Sequence, residues 1–227
     1  MNQVMWSALC AAFATGDDYA EAVKKVTGYT NYSCKISVKS EGGAGKGGPG
    51  ASFDCAYDSS APAYVKGKGT EAYLQGGKLV YKGSDGKWAK LEPPQKGAKP
   101  EKGQREVMAM KNIRLPHEEL SGFDSKVKDV KSEKDGETTV YSGSLTDEAA
   151  KEIGAVGRKG GQMTYSGSAK LWVDASGVLV KYELVIGTKG KIKEKEIDVT
   201  TTRTVELSGI GSTAKPEVPE DAKKLLE

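Results

Sequence analysis

The sequence has few of the side chains that catalyse reactions or bind metals. Of its 227 residues one is histidine, His117, and three are cysteine. A serine or cysteine hydrolase would depend on His117 alone as its general base, and no nucleophile motif accompanies it. Two cysteines with one distant histidine also make a poor zinc site. These absences predict a protein that is not an enzyme and has neither a cofactor nor a metal site.

The sequence also lacks a cluster of positive charge. It has 34 lysines and arginines against 31 aspartates and glutamates, which gives a net charge of +3. The two signs alternate along the chain, whereas nucleic-acid binding needs basic residues gathered on one face. The charge pattern therefore indicates a solvated surface and no nucleic-acid partner.

No apolar run is long enough to cross a bilayer. The stretch from Val4 to Ala14 has the length of a signal-peptide core, and Ala12-Phe13-Ala14 fits the small-x-small rule for cleavage. We expect a signal peptide over residues 1–14, a single domain over 15–227, and export to the periplasm or the medium. The alternative is the start of a buried helix. Lipidation of Cys10 is less favoured, because Leu9 rather than a small residue precedes it.

What the sequence has in abundance is strands of period two separated by glycine turns. A period of two predicts a sheet with one buried and one wet face. One apolar stripe consists of Val178, Val180, Tyr182, Leu184 and Ile186. A second consists of Ile197, Val199, Thr201, Val205 and Leu207.

Three short helices are predicted among these strands. One covers residues 17–26, one begins at Pro116, and one covers 146–153 with Thr146 as its N-cap. The fold class is therefore α+β and mainly antiparallel β, with roughly eight to eleven strands crossed by short helices. His117 is interpreted as an exposed residue at a helix start. The nearby Glu118 and Glu119 are interpreted as acids that stabilise the helix dipole.

The first hairpin brings two cysteines together. Folding the chain about its glycine-rich turn places Cys34 opposite Cys55, Ile36 opposite Phe53, and Val38 opposite Ala51. A directly opposite pair brings the two Cβ atoms within disulfide range. We expect a Cys34–Cys55 disulfide, with two free buried thiols or a metal site as the alternatives.

The order of elements and several short phrases resemble a known family. YSCKISV is followed by EAYLQGGKLVYKGSDGKWAKLE, then LTDEAAKEI, LWVDASGVLVKYEL and SGIGSTAKPEVPEDAKKLL. This order resembles the LolA-like superfamily of bacterial envelope proteins, especially its LppX/LprG-type lipoprotein branch. The resemblance implies a curved, incomplete β-barrel with short helices across its concave face. It also implies carriage of lipids or acylated ligands through the periplasm.

The leading functional hypothesis is an exported, non-enzymatic protein that binds a lipid or acyl chain between its curved sheet and its helices. The alternative is a packed envelope protein that acts by binding another protein and has no ligand cavity. A hydrolase is a third, less favoured, hypothesis. The residues predicted to line an apolar cavity are Phe53, Tyr57, Tyr81, Trp88, Met108, Met110, Leu115, Leu171, Tyr182, Leu184 and Ile186.

Overall fold

The computed structural model describes residues 16–42, 50–92, 103–155, 162–192 and 195–227. The predicted signal peptide, residues 1–14, lies outside the described residues, as does most of the glycine-rich turn of the first hairpin. Between residues 16 and 227 the described chain forms one antiparallel sheet with helices packed on it.

Eleven strands form this sheet in the described part of the chain. They alternate with turns in which glycine adopts positive φ, as at Gly76, Gly77, Gly86 and Gly177, where residues with a Cβ would be strained. The strands are β1 Asn31–Gly42, β2 Ala51–Asp58, β3 Ala63–Lys66, β4 Glu71–Gln75, β5 Lys78–Lys82, β6 Trp88–Lys90, β7 Val127–Asp135, β8 Thr138–Leu145, β9 Gln162–Val173, β10 Leu179–Ile192 and β11 Lys195–Ser208.

The strand order explains how the sheet is assembled from two halves. It runs β6-β5-β4-β3-β2-β1-β11-β10-β9-β8-β7. Each half is a meander of neighbours in sequence, and only the β1–β11 pair joins the first strand to the last. That pair extends from Ser33 opposite Ser208 to Gly42 opposite Val199. The sheet does not close, because β6 and β7 remain its edges. This is the curved, incomplete antiparallel barrel expected from the sequence.

Five short helices accompany the sheet in the described residues. Residues of three of them, together with Leu120 and the 3₁₀ turn at Phe123–Lys126, contribute to the main core on the concave face, and the last helix packs elsewhere. Thr146 caps the fourth by accepting a hydrogen bond from the Ala149 amide over 3.2 Å, as predicted. The helices are α1 Gly16–Thr27, α2 Gln104–Lys111, α3 Pro116–Glu119, α4 Asp147–Gly154 and α5 Glu220–Leu226. No helix among the described residues is long and apolar enough to cross a membrane.

The concave face of the sheet holds the main core, and a smaller core lies on the other face. Ala72 and Leu79 belong to the main core, whereas Tyr73 and Val80 pack with Ala222 of α5 in the smaller one. Successive side chains of a strand point to opposite faces. Helix α5 therefore covers the convex side of β4–β6, and α1 to α4 fill the concave side.

The register of the first hairpin is the predicted one, but the disulfide prediction is wrong. Cys34 lies opposite Cys55, Ile36 opposite Phe53, and Val38 opposite Ala51. Both cysteines are buried with free thiols, which was the alternative. The adjacent thiol of Cys55 and burial together hold the pKa of Cys34 far above its ordinary value. A thiol that keeps its proton in an apolar interior, as Cys34 does, is unreactive.

The predicted stripe of β10 is correct for Tyr182, Leu184 and Ile186 but fails at its start. Leu179 is fully buried, and Val180 is only half-buried. The pairing with β9 skips from Leu179–Val173 to Lys181–Trp172, so Val180 is the extra residue of a β-bulge. A bulge shifts the alternation by one position, which places Leu179 rather than Val178 and Val180 on the inner face.

Helix α3 is joined to the sheet through three aromatic rings. The Tyr32 hydroxyl lies 2.7 Å from Nδ1 of His117, and the imidazole stacks on Tyr57 with ring centroids 4.2 Å apart. The interpretation of His117 as an exposed residue is therefore wrong, because the ring is half-buried. Burial lowers the pKa of His117 below its ordinary value of 6.5, although the nearby Glu118 opposes that change. A neutral imidazole can accept a hydrogen bond from the tyrosine hydroxyl at Nδ1.

We expect the titration of His117 to have its midpoint below pH 6.5 in the folded protein. As the pH falls below 6.5, the unfolded chain then binds more protons than the folded chain. The unfolding free energy therefore decreases as the pH is lowered. Because His117 is the only histidine, its ring resonances in a proton NMR titration report the midpoint directly.

The variant His117→Phe provides the control for stability. Its unfolding free energy should change less between pH 7.5 and 5.5 than that of the parent protein. A His117 midpoint at or above 6.5 would contradict the packing described for α3.

Candidate functional site

A cavity of about 300 Å³ lies between the concave face and the helices. Its floor is formed by neighbouring positions of β2, β1, β11 and β10, and its roof by α2, the connection to α3, and the end of α4. Its walls are mostly apolar. The lining residues are Val38, Ala51, Phe53, Ala109, Asn112, Ile113, Arg114, Glu119, Ile153, Gly154, Leu184, Ile186, Thr188, Thr201 and Arg203.

Strand register explains why these side chains meet. Arg203 of β11 pairs with Val38 of β1 on one side and with Leu184 of β10 on the other. Directly opposite residues point to the same face of a sheet. The odd positions of β11 and the even positions of β10 therefore form a continuous inner surface, and the segment of it around Arg203 lines the cavity.

Gly154 lets the end of α4 approach this surface closely. A Cβ at this position would lie 2.6 Å from Cδ1 of Tyr165 and 2.9 Å from Cγ2 of Ile186. Contacts that short do not occur between real carbon atoms, so a larger residue would push α4 away from β9 and β10. Gly154 and the adjacent Ile153 thus define one end of the cavity.

The structure brings only some of the predicted cavity residues together. Phe53, Leu184 and Ile186 line the cavity. Met110, Leu115, Leu171 and Tyr182 are buried in the surrounding interior.

The other four predicted residues lie away from the cavity. Tyr57 stacks on His117, Met108 is half-buried on α2, and Tyr81 packs against the main core. Trp88 belongs to the convex-face core, where it contacts Tyr73 at a centroid distance of 5.2 Å.

A buried ion pair, which the sequence analysis missed, lies in the cavity wall. Nε of Arg203 is 3.3 Å from Oε2 of Glu119, and their side chains are 15% and 2% exposed. The interpretation of Glu119 as an acid that stabilises the helix dipole was therefore incomplete, because Glu119 is buried and paired with Arg203. The sequence did contain a sign of this pair: Arg203 interrupts the apolar odd-numbered stripe of β11, where a solvent-facing arginine is not expected.

Two further groups hold this ion pair in place. The hydroxyl of Tyr182 donates to the same Oε2 of Glu119 over 2.6 Å, and Nη2 of Arg203 donates to the carbonyl of Arg114 over 2.5 Å. Burial, reinforced by the charge of Glu119, holds the pKa of Tyr182 well above its ordinary value, so the phenol keeps the proton it donates. This polar network of Tyr182, Glu119 and Arg203 thereby links the sheet to the α2–α3 connection.

One donor of this network has no acceptor. Nε of Arg203 is buried and makes no hydrogen bond within the described structure. At 3.3 Å it is attracted to Glu119, but its N–H is not aligned with the carboxylate oxygen. Burial acts to lower the pKa of Arg203, but the charges of Glu119 and Tyr182 outweigh it, so the pKa is raised above the ordinary value and the guanidinium stays charged.

We expect Glu119→Leu to lower the unfolding free energy by about 3–5 kcal/mol, because it leaves the charge of Arg203 buried without its partner. The double variant Glu119→Leu with Arg203→Met removes both charges and should lie closer to the parent than the single variant does. Urea unfolding followed by circular dichroism measures the unfolding free energies of these two variants and of the single variant Arg203→Met. A double variant as unstable as the sum of the two single variants would show that the pair does not act as a unit.

Neither family models nor curated proteins match this sequence. Solved structures do match the fold. LprF from Mycobacterium bovis is similar over 91% of this chain and 96% of its own, with 14% identity and a TM-score of 0.50. The LolA superfamily protein NE2245 from Nitrosomonas europaea is similar over 92% of this chain and 96% of its own, with 10% identity and a TM-score of 0.34.

The match to LprF extends over nearly the whole of both chains, and it agrees with the open eleven-stranded sheet and its concave helices. At this level of identity the likeness concerns the fold. The protein has a LolA-like fold.

Proposed function

We propose that this protein is an exported, non-enzymatic carrier that binds a lipid or acyl chain in the cavity between its curved sheet and its helices. The observation that supports this most directly is the cavity itself. It has about 300 Å³ and is bounded by Phe53, Ile113, Leu184 and Ile186, and apolar concavities of this kind are where small ligands bind.

The size of the cavity bears on how much ligand it takes. About 300 Å³ lies at the lower end of the range of ligand pockets. That volume suits one chain of moderate length better than several. Each buried CH₂ would contribute about 0.8 kcal/mol, so a single chain supplies enough free energy for reversible binding.

The alternative of a protein-binding envelope protein predicts an interior filled to normal packing density. A cavity between well-packed layers is not needed for that role and weakens the fold, because the side chains around it lose contacts. We therefore favour a ligand. Location in the cell envelope remains part of the proposal and depends on the apolar run and Ala12-Phe13-Ala14 at the start of the chain.

Native mass spectrometry of the purified protein tests the proposal. We expect mass additions that disappear on organic extraction, with an extract that contains acyl chains. A protein that carries no such mass, and that binds none of the single-chain lipids offered to it, would support the protein-binding alternative.

We expect Leu184→Trp to reduce the affinity for a fluorescent apolar probe at least about tenfold while it changes the unfolding free energy by less than about 1 kcal/mol. Leu184 lies in the cavity wall, so the larger ring would extend into space that the ligand needs. Titration of the probe and urea unfolding of the same variant give the two quantities.

Leu171→Trp is the matched control, because Leu171 is equally buried on the neighbouring strand but does not line the cavity. The same enlargement there should overfill the core and cost about 1–3 kcal/mol, with probe affinity unchanged in the folded fraction. If Leu184→Trp behaves like Leu171→Trp and the parent binds no probe, the carrier proposal fails.

A further inference from the structure

The one histidine of the chain makes a polar contact between α3 and the sheet, close to the cavity. The Tyr32 hydroxyl lies 2.7 Å from Nδ1 of His117. Tyr32 is fully buried, and His117 is half-buried. The cavity is lined by Ile113 and Arg114, which precede α3, and by Glu119, the last residue of α3. The way in which His117 is held therefore bears on the cavity wall.

The surroundings of Tyr32 determine the direction of this hydrogen bond. The backbone N–H of His117 interacts with the hydroxyl oxygen of Tyr32, so this oxygen already acts as an acceptor. Nδ1 of His117 is the only side-chain partner of the hydroxyl within the described structure. A buried hydroxyl needs an acceptor for its proton. The hydroxyl therefore donates to Nδ1, and Nδ1 must carry no hydrogen for this bond to form.

Protonation of the imidazole removes the acceptor. Nδ1 then carries a hydrogen, so it can donate to the Tyr32 oxygen but can no longer accept from it. The O–H of Tyr32 is left without a partner in the core, which costs more than an ordinary hydrogen bond contributes. When α3 moves away from the sheet, water reaches both the imidazolium and the hydroxyl. Protonation thus favours the arrangement in which α3 has moved.

The other groups around the ring do not reverse this effect. Burial lowers the pKa of His117, and Glu118, on α3 itself, opposes that change only in part. On β2, Tyr57 stacks on the ring, and the carboxylate of the following Asp58 is bonded to Ser60. Helix α1 also packs against α3, but its charged residues are exposed and its inward side chains are apolar or tyrosine.

Helix α3 has two polar attachments to the sheet, on different strands. His117 binds Tyr32 of β1. Glu119 binds Tyr182 of β10 and Arg203 of β11, in the cavity wall. A helix of four residues has almost no stability of its own, so its position depends on such attachments. Loss of the attachment to β1 therefore raises the population in which α3 is displaced.

We propose that α3 is a pH-sensitive gate: protonation of His117 releases α3 from β1, widens the cavity and lets its ligand leave. The protein holds the ligand at neutral pH and releases it in mildly acidic surroundings. The movement of α3 depends on the contacts of His117 alone, whereas the release of a ligand rests on the proposed carrier function.

Hydrogen exchange followed by NMR tests the movement of α3 in the purified protein. The amides of Glu119 and Leu120 bond to the carbonyls of Leu115 and Pro116, so their protection factors report opening of this helix. Between pH 7.0 and 5.0 we expect them to fall at least about fivefold more than those of the β1–β11 amides, because the opening is local. An equal fall in both sets, or no fall in either, overturns the proposal.

The double variant Tyr32→Phe with His117→Phe is the matched control. It removes both polar partners at once, so neither is left unsatisfied, and it keeps an aromatic ring on Tyr57 and every carboxylate near the cavity. Its α3 amides should not respond to this change of pH. Tyr32→Phe alone keeps the titrating ring but has no hydroxyl to leave unpaired, so its response should be less than about half of that of the parent. A response as large as that of the parent, in either variant, overturns the role of the Tyr32–His117 bond, and the single variant decides the question if the double variant does not fold.

Titration with an uncharged fluorescent apolar probe at pH 7.5 and 5.0 tests the release of ligand. We expect the affinity of the parent to fall at least about fivefold at the lower pH, and that of the double variant to change less than about twofold. An affinity of the parent that is equal at both pH values overturns the gate and leaves the carrier function intact. A probe that binds at neither pH overturns the carrier function and the release of ligand, and the exchange measurement then decides separately whether α3 moves.

Discussion

The pairing of β1 with β11 is the interaction on which the rest of the structure depends. Each half of the sheet is a meander of local hairpins, and only this pair connects the halves. It also brings Val38 and Arg203 side by side, with Leu184 on the next strand. Without it the inner surface beneath the helices would not be continuous, and the floor of the cavity would not exist.

The cavity wall contains apolar side chains, which need no hydrogen-bond partners, and buried charged side chains, which do. Phe53, Leu184 and Ile186 offer apolar carbon, whereas Glu119 and Arg203 need partners because both are largely buried. The protein satisfies most of that need internally, through Tyr182 and the Arg114 carbonyl. A buried ion pair of this kind contributes little net stability, but loss of one partner alone leaves a buried charge without compensation.

Much of the fold could be predicted from the sequence because its determinants are local. Period two identified the strands, and the mirror arrangement of Ile36 and Phe53 about a glycine turn gave the correct register of the first hairpin. The bulge at Val180 could not be predicted, since the alternation of side chains by itself does not show where one residue is left unpaired.

The candidate site was harder to predict, because its residues meet only through the tertiary fold. Leu184 and Ile186 could be found from their stripe, but that stripe does not distinguish a cavity wall from a filled core. Glu119 looked like an ordinary helix acid until Arg203, on a distant strand, was placed beside it. The thiols of Cys34 and Cys55 show the same limit: their register could be predicted, but their chemical state could not.

The position of the β1–β11 pair has a consequence for how the chain folds. β1 begins at Asn31 and its partner β11 ends at Ser208. The contact between these two strands therefore closes one of the longest loops the chain can form. Contacts of such large sequence separation slow folding, because the entropy of closing the loop is lost before the contact is gained. The hairpins of each half can form early, but the concave surface is completed only when almost the whole chain is available. A chain that is still being synthesised would therefore lack the cavity between the sheet and the helices, and this cavity would be completed only in the final step of folding.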